Sequence, residues 1–565
     1  MAPAGGGEAG GGGGGGGAGR GRRRRRRHGP EAPRGRRRTA GRLHRATAAA
    51  PAEAAGGRGG VRAGAGAPAA AGRLARGPLL WDGALGAPAW APPRAPPRAT
   101  LACPRAAVVA ELARSGALER LRALFAREFA SAGGAGGEGE DGAQAPPLLA
   151  FERWRFACKA AEEGRCGAGG RPADPLLPAG LAAEEPGLVA DLERAGLRRS
   201  SALAVTGALA RAAAEESRKV QRLVHRLRSG GKDWGKRGGE GGRGGNGGGA
   251  TGAVEAAFHQ HSIDLTARGH PQLLAKLSYV AYGKLAELHR RNAPAGEPTA
   301  VTAEGKEQAG GAPAAAGTER EMWEREGRAA ASGAPAAGRE ALHERMFAML
   351  LRYKCIRGHG FQMAVGPAVF GVLASWLGTG MELFASPLNC HWGRFCSAFP
   401  DVDGPFGSAG SAFGFAPRTG SFEANPPFTL DVIARTADRA LAALEVAEQA
   451  GLALSYAVFL PGWQEADGWQ RLRGAELLEA FVLVAAADHG YCDGASHQRR
   501  DPFRGAQYDT GVFVLRTSKA RRRLPLRAGF EEALRAAMAA AIPSEAAADR
   551  ARKERGGARS VGVET

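Results

Sequence analysis

The tetrapeptide Asn425-Pro426-Pro427-Phe428 closes the segment Ser421-Phe422-Glu423-Ala424 and is the strongest candidate for chemistry in the chain. A ring amine such as adenine N6 is a poor nucleophile, because its lone pair is delocalised into the ring. A site raises its reactivity by accepting hydrogen bonds from both of its N–H groups. The side-chain carbonyl of Asn425 can accept one and the backbone carbonyl of Pro426 the other. Two consecutive prolines, Pro426 and Pro427, fix φ and hold that carbonyl outward at a strand end. Phe428 offers a face for a base, typically worth ~1–3 kcal/mol per base. A methyl group then passes in line from a sulfonium to N6, with positioning and electrostatics supplying most of the rate. The competing reading is a Pro-Pro turn that caps a strand. A strand before the motif and a helix after it favour the site.

A second constellation, Glu382-Leu383-Phe384-Ala385-Ser386-Pro387-Leu388-Asn389, fits a strand running into a small-residue loop, the first βα turn of a cofactor fold. Backbone groups of Ala385 and Ser386 are expected to approach the methionine part of the cofactor. Asp401 and Asp403 follow the next strand. Either carboxylate suits ribose hydroxyls, and either equally suits an Asx turn before Gly404. His489, Cys492 and His497, and likewise Cys390, His391 and Cys396, match no familiar zinc spacing. Structural or substrate-lining roles are expected for them, and no metal. Trp463 and Trp469 are placed either against a base or in the core.

These residues need elements to carry them. The chain has 565 residues, 88 of them Gly and 34 Pro, and a formal charge of +21. A polyanionic partner is the simplest functional reading of that charge; an Arg-favouring coding bias is the competing one. Long stretches lack the apolar residues needed to offset ordering entropy. Residues 1–76 read as a disordered basic tail and 293–338 as a low-complexity linker. Residues 77–292 read as a helical domain with Gly-rich linkers at 130–146 and 229–252. Residues 339–522 read as the catalytic core and 523–565 as a C-terminal helix and tail. Helices are expected over 104–129, 187–228, 254–291, 342–353, 367–377 and 430–450. Strands are expected at 381–384, 396–399, 421–424, 454–460, 480–486 and 511–516, the last two as an antiparallel hairpin at one edge. Such alternation makes an α/β fold with a mostly parallel sheet. Seven scattered cysteines without a CxxC pair suit a reducing compartment. No apolar run reaches the roughly eighteen residues of a membrane span, so no membrane partner is expected. Arg22–Arg27 and Arg36–Arg38 read as a nuclear-targeting or RNA-contacting tail.

Several of these stretches together resemble one family, the cap-specific adenosine N6-methyltransferases, also called phosphorylated CTD-interacting factors. The resemblance runs through Phe384 to Cys390, Cys396 to Asp401, Phe406-Gly407-Ser408 and Gly420 to Phe428. It continues at Trp463, Gly494 to His497 and Thr510 to Leu515, with weaker echoes at Leu80-Trp81-Asp82, Phe151 to Trp154 and Ser217-Arg218-Lys219. It implies a Rossmann-like core binding S-adenosylmethionine, an N-terminal helical domain, and methyl transfer to the first transcribed adenosine of capped mRNA. It also implies nuclear residence and association with the RNA polymerase II tail. By position it makes Asn425, Pro426, Pro427 and Phe428 catalytic, and it places Arg198, Arg218, Trp463 and His497 toward substrate. Cofactor contacts are expected from Glu382, Phe384, Ala385, Ser386, Pro387, Asn389, Asp401 and Asp403. No WW module is visible, and Gly414 precedes Phe415 where many N6-methyltransferases place an acidic residue. Methylation of internal RNA or DNA adenines, methylation of glutamine side chains, and an inactive RNA-binding module remain the rival readings.

Overall fold

The computed structural model describes residues 100–133, 147–165, 174–178, 186–229, 252–297, 328, 336–356, 362–497 and 502–543. All of them fall in the compact unit Pro68–Thr565. Residues 1–76 and most of the expected linkers at 130–146, 229–252 and 293–338 lie outside the described residues, as does Gly358 to Phe361.

Helix α1 (Pro104–Gly133) begins on a proline, whose missing N–H costs nothing in a first turn, and buries Val108, Leu112, Leu121 and Phe125. Helix α2 (Leu148–Arg165) sets Phe151 against Phe125 and Trp154 against Phe151. The single helix expected over 187–228 is two, α3 (Pro186–Arg194) and α4 (Arg199–Ser229). The break falls at Gly196, whose φ of 89° lies in the left-handed region and lets Leu197 N donate back to Leu192 O at 3.1 Å.

The helix expected over 254–291 is wrong in its first half. Strands β1 (Val254–Phe258), β2 (Ser262–Ala267) and β3 (Leu274–Ser278) form an antiparallel meander. Ile263, Leu265 and Ala267 alternate inward along β2, a period of two, and Gly269 turns the chain at φ 84°. The leucines around 273–277 had imitated a helical stripe. Helix α5 (Tyr279–Asn292) starts only where the Ser278 hydroxyl accepts Ala281 N, at 3.2 Å.

Helix α6 (Ala336–Lys354), short strand β4 (Met363–Ala364) and α7 (Pro367–Leu377) lead into the main sheet. Its elements are β5 (Glu382–Ala385), β6 (Phe395–Ser397), β7 (Gly420–Ala424), α8 (Leu430–Gln449), β8 (Leu454–Pro461), α9 (Asp467–Arg473) and β9 (Leu478–Val484). Strand β10 (Gly490–Asp493) then pairs with both β4 and β11 (Phe503–Gly505) in a small sheet of their own. Strand β12 (Thr510–Arg516) and helices α10 (Ser518–Arg523) and α11 (Phe530–Ala539) complete the described chain.

The main sheet has the order β6-β5-β7-β8-β12-β9. The first four strands are parallel, and β12 runs antiparallel to both of its neighbours. The expected antiparallel pairing of the last two strands is present, with β9 at the edge. One face packs Leu383, Phe422, Val458 and Phe513 against Ile433, Ala437 and Leu444 of α8. The other packs Ala457, Phe459 and Val512 against Phe370 and Leu373 of α7 and Leu534 of α11. The fold is therefore mixed α/β with helices on both faces of a mixed sheet.

Buried charges tie α1 to this sheet-bearing part. Arg352 of α6 bonds Glu111 of α1 at 2.6 Å and both Asp401 oxygens at 2.9 and 2.8 Å. Arg114 bonds Glu111 and Asp174, whose second oxygen caps Leu176 and Leu177. No helix among the described residues is long and apolar enough to cross a membrane.

Candidate active site

Strand β7 alternates its side chains, sending Phe422 and Ala424 into the core beneath α8 and Glu423 and Asn425 to the other face. Asn425 is 5% exposed. Its Nδ2 donates to Met363 O at 3.1 Å, which fixes the amide orientation. Its Oδ1 is buried and has no hydrogen-bond partner among the described residues. A buried carbonyl left unpaired costs about 1–3 kcal/mol, so this acceptor is held at a cost. The Pro427 carbonyl accepts Thr429 N at 2.8 Å, whereas no described N–H reaches the Pro426 carbonyl. The side-chain carbonyl and the next backbone carbonyl expected to act together are thus both available.

Phe428 follows and makes edge contacts with Trp463, centroids 6.3 Å apart, and Tyr491, at 6.2 Å. Trp463 in turn meets Tyr508 edge-on at 5.6 Å, and Tyr508 is 48% exposed. These rings form a half-exposed aromatic wall beside Asn425. Tyr491 and Tyr508 were missed by sequence reasoning, since a tyrosine near a strand end carries no spacing signal of its own. The wall is pinned from behind. Gly462 N donates to Asp509 O at 2.6 Å, and a Cβ at Gly462 would come within 2.9 Å of the Asp509 Cβ. Trp469, by contrast, is core, packed on Phe513 at 4.9 Å.

The loop after β5 curls beside the same rim. Asn389 Oδ1 accepts the Ser386 backbone N–H at 2.7 Å and its hydroxyl at 2.9 Å, while Asn389 Nδ2 donates to Gln362 O at 3.0 Å. Pro387 is buried within this loop and Ala385 packs into the apolar core. Glu382 requires a correction. It is 1% exposed, and its Oε2 accepts the His391 and Trp392 N–H groups at 2.7 and 3.2 Å from beneath. Burial pushes its carboxyl up to about 7, against those two hydrogen bonds. Its register partner on β7 is Glu423, which burial and then the neighbouring Glu382 charge push well above the usual carboxylate range. The nearby His391 ring stacks on Phe370 at 4.7 Å, and burial holds it down to about 3.

Phe384 meets Phe413 edge-on at 5.7 Å, and with Leu383, Phe415, Ala424 and Tyr456 they line a shallow apolar cleft. The Arg435 guanidinium lies over Phe413 at 3.9 Å. At Gly414 an added Cβ would meet nothing closer than Ser411 O at 3.7 Å.

Three further expectations are corrected. Asp401 is not open to a ribose: although burial opposes its charge, the Arg352 guanidinium bound to both oxygens holds it below the usual range. Asp403 is fully buried, accepts the Tyr353 hydroxyl at 2.7 Å, and is pushed to about 7 by burial, so it serves the interior rather than a sugar. The His497 ring is engaged by the protein's own backbone. Its ring nitrogens meet Gly494 O at 3.0 Å and Lys276 O at 3.1 Å, and its own carbonyl accepts the Ser278 hydroxyl, docking the loop on β3. Arg198 and Arg218 are both exposed, one immediately before α4 and the other within it, about 30 Å apart along the helix direction. They would meet different parts of any extended ligand.

Residues 322–494 match the family model described as the phosphorylated CTD interacting factor 1 WW domain. That description corrects the expectation that no WW module is visible; the described residues of the match include α6, α7 and most of the main sheet. The chain is similar to the mRNA (2'-O-methyladenosine-N(6)-)-methyltransferase of Homo sapiens, 35% identical over 184 residues, covering 30% of this chain and 25% of that protein. It is also 34% identical over 182 residues to the protein of the same name from Mus musculus, with the same two shares. The chain thus spans about a quarter of the length of the curated relatives it matches. The residues that match this family model, 322–494, include Asn425 to Phe428.

Proposed function

We propose that the chain transfers a methyl group from S-adenosylmethionine to N6 of the first adenosine of a capped RNA. One observation carries this reading: the buried, oriented and unpartnered Oδ1 of Asn425 beside an equally unengaged Pro426 carbonyl. Two acceptors at the end of β7 match the two N–H groups of an exocyclic amine and would draw electron density onto its nitrogen. Phe428 and Trp463 supply the faces and edges against which the base is held. A 5′-terminal adenosine is unpaired, so no duplex stacking opposes its entry. The names of the two relatives support the N6 position and the mRNA substrate.

The sheet order, with one antiparallel strand inserted next to the edge, suits a Rossmann-like methyltransferase core. The cofactor fits the residues present: the apolar cleft of Phe384, Phe413 and Phe415 suits a purine ring, and the buried, unpaired Glu423 Oε1 suits an ammonium. Ser386, Pro387 and Asn389 would border its amino-acid end. When bound, S-adenosylmethionine supplies the electrophilic methyl group. Arg198, Arg218 and the exposed arginines of α4 would contact RNA phosphates beyond the first nucleotide. Association with the phosphorylated polymerase tail is proposed from the family description, and nuclear residence from the Arg22–Arg27 and Arg36–Arg38 clusters.

The test supplies labelled S-adenosylmethionine with capped and uncapped RNAs that begin with A, followed by digestion to nucleosides. Label in N6-methylated adenosine from the capped RNA is expected. Equal labelling of both RNAs removes the cap from the proposal, and no labelled adenosine from either removes the activity.

A further inference from the structure

The loop from Ser386 to Trp392 is held by groups from two directions, and one of them comes from outside the segment that matches the family. Lys284 lies on α5, is 3% exposed, and donates its ammonium to Leu388 O at 3.2 Å and Cys390 O at 2.7 Å. The Glu382 carboxyl holds the N–H groups of His391 and Trp392, the next two residues along. One buried side chain thus takes the loop by its carbonyls and another by its amides. Between them Asn389 closes the turn on Ser386 and Gln362. A buried ammonium satisfied mainly by backbone carbonyls is costly to place, and hydrogen bonds from a charged donor are the stronger kind. A neutral residue would fill the same space at lower cost if packing were the only task.

We infer that Lys284 is a positioning residue for the methyl donor: it sets the shape of the Ser386–Trp392 loop and thereby the affinity for S-adenosylmethionine. The inference rests on the proposed function, in which this loop borders the amino-acid end of the donor. The ammonium is held away from the reacting atoms and acts through Leu388 and Cys390. The 254–292 segment joins the site through it: α5 carries Lys284, and β3 carries the Lys276 and Ser278 groups that dock His497. Packing of this segment is thereby coupled to cofactor binding and not to base recognition at Asn425.

The test uses the full chain with Lys284→Met, and with Lys284→Gln, whose amide keeps one donor to the loop. Equilibrium binding of labelled S-adenosylmethionine, separate KM values for donor and RNA, and amide hydrogen exchange are read for each. Lys284→Met is expected to weaken donor binding by about 10-fold, the scale of a lost charged hydrogen bond, with the RNA KM unchanged. Exchange should rise at Leu388 to Trp392 alone, and Lys284→Gln should recover part of the loss. Donor affinity of Lys284→Met within twofold of the natural protein overturns the inference and leaves the proposed function standing. Exchange that rises across the whole chain in both variants also overturns it, because the role is then structural. A natural protein that binds no S-adenosylmethionine overturns the proposed function, and this inference with it.

Discussion

At the rim where β7 and β8 begin, polar side chains are consumed by the fold. Thr517 accepts Leu454 N and Ala520 N and donates to Leu452 O. Thr379 and Ser421 bond each other at 2.9 Å. Arg516 spreads its guanidinium over Ser455, Glu479, Ala520 O and Leu524 O. One Arg521 nitrogen is the exception. At the rim where the same strands end, Gln362 Oε1, His391 Nδ1, Trp392 Nε1, Glu423 Oε1 and Asn425 Oδ1 are all buried without partners among the described residues. Buried polar groups are nearly always paired, so a cluster of exceptions at one rim marks where the chain keeps capacity for something else. The C-terminal rim of parallel strands is also where ligands of open α/β sheets bind. One rim spends its polar atoms on stability, and the other holds them for a ligand.

That contrast can be broken first at the saturated rim. Arg516→Met strands four acceptors and should destabilise the fold by about 3–5 kcal/mol, measured by denaturant unfolding, while the donor affinity of the folded fraction stays as it was. A change in donor affinity without loss of stability would put function at the wrong rim. Thr517→Val at the same rim should cost ~1–3 kcal/mol by the same assay. At the other rim the signature is pH. The Glu382 carboxyl has its folded value raised by burial from 4.5 to about 7, so its neutral form favours the folded state. Stability present below 4.5 is then lost as the pH rises to about 7. Unfolding free energies measured across that window should fall, and Glu382→Gln, which keeps an acceptor for His391 and Trp392, should flatten the fall. The smallest effect is expected at Gly414. The space around it admits a side chain, so Gly414→Asp should fold normally and tighten donor binding severalfold, on the order of 1 kcal/mol, by adding a carboxylate beside the cleft. Titration calorimetry decides it: weaker binding would place the donor's purine elsewhere.

The sequence made the second rim legible because its signal is local. Asn425 to Phe428 is contiguous, and a strand and a helix with clear periodicities flank it. The parallel strands and helix α7 follow the same logic, with Pro367 opening the helix and Gly378 closing it. What could not be read depends on distant partners. Nothing near Asp401 announces Arg352, which lies on another helix, and nothing near Glu382 shows that its amide partners come from its own loop. The β1–β3 meander was hidden because Leu273, Leu274 and Leu277 fit a helical stripe, whereas in β3 Leu277 is buried and Leu274 is exposed on the opposite face, a choice made only by pairing with β2. Lys284 sits among the apolar residues of an ordinary helix, so its reach to Leu388 and Cys390 appears only once α5 is docked.

The most direct measurement is the rate of methyl transfer to N6 of an A-initiated capped RNA by the natural protein and by Asn425→Ala, with melting temperature recorded for both. The Asn425 side chain contributes a single hydrogen bond to the fold, from Nδ2 to Met363 O, and its Oδ1 has no partner among the described residues. The expected result is a fall in kcat of at least about 100-fold with little change in melting temperature, the scale seen when one preorganised polar group is removed from a reacting centre. An Asn425→Ala protein that retains full kcat would contradict the assignment of this rim as the site of transfer.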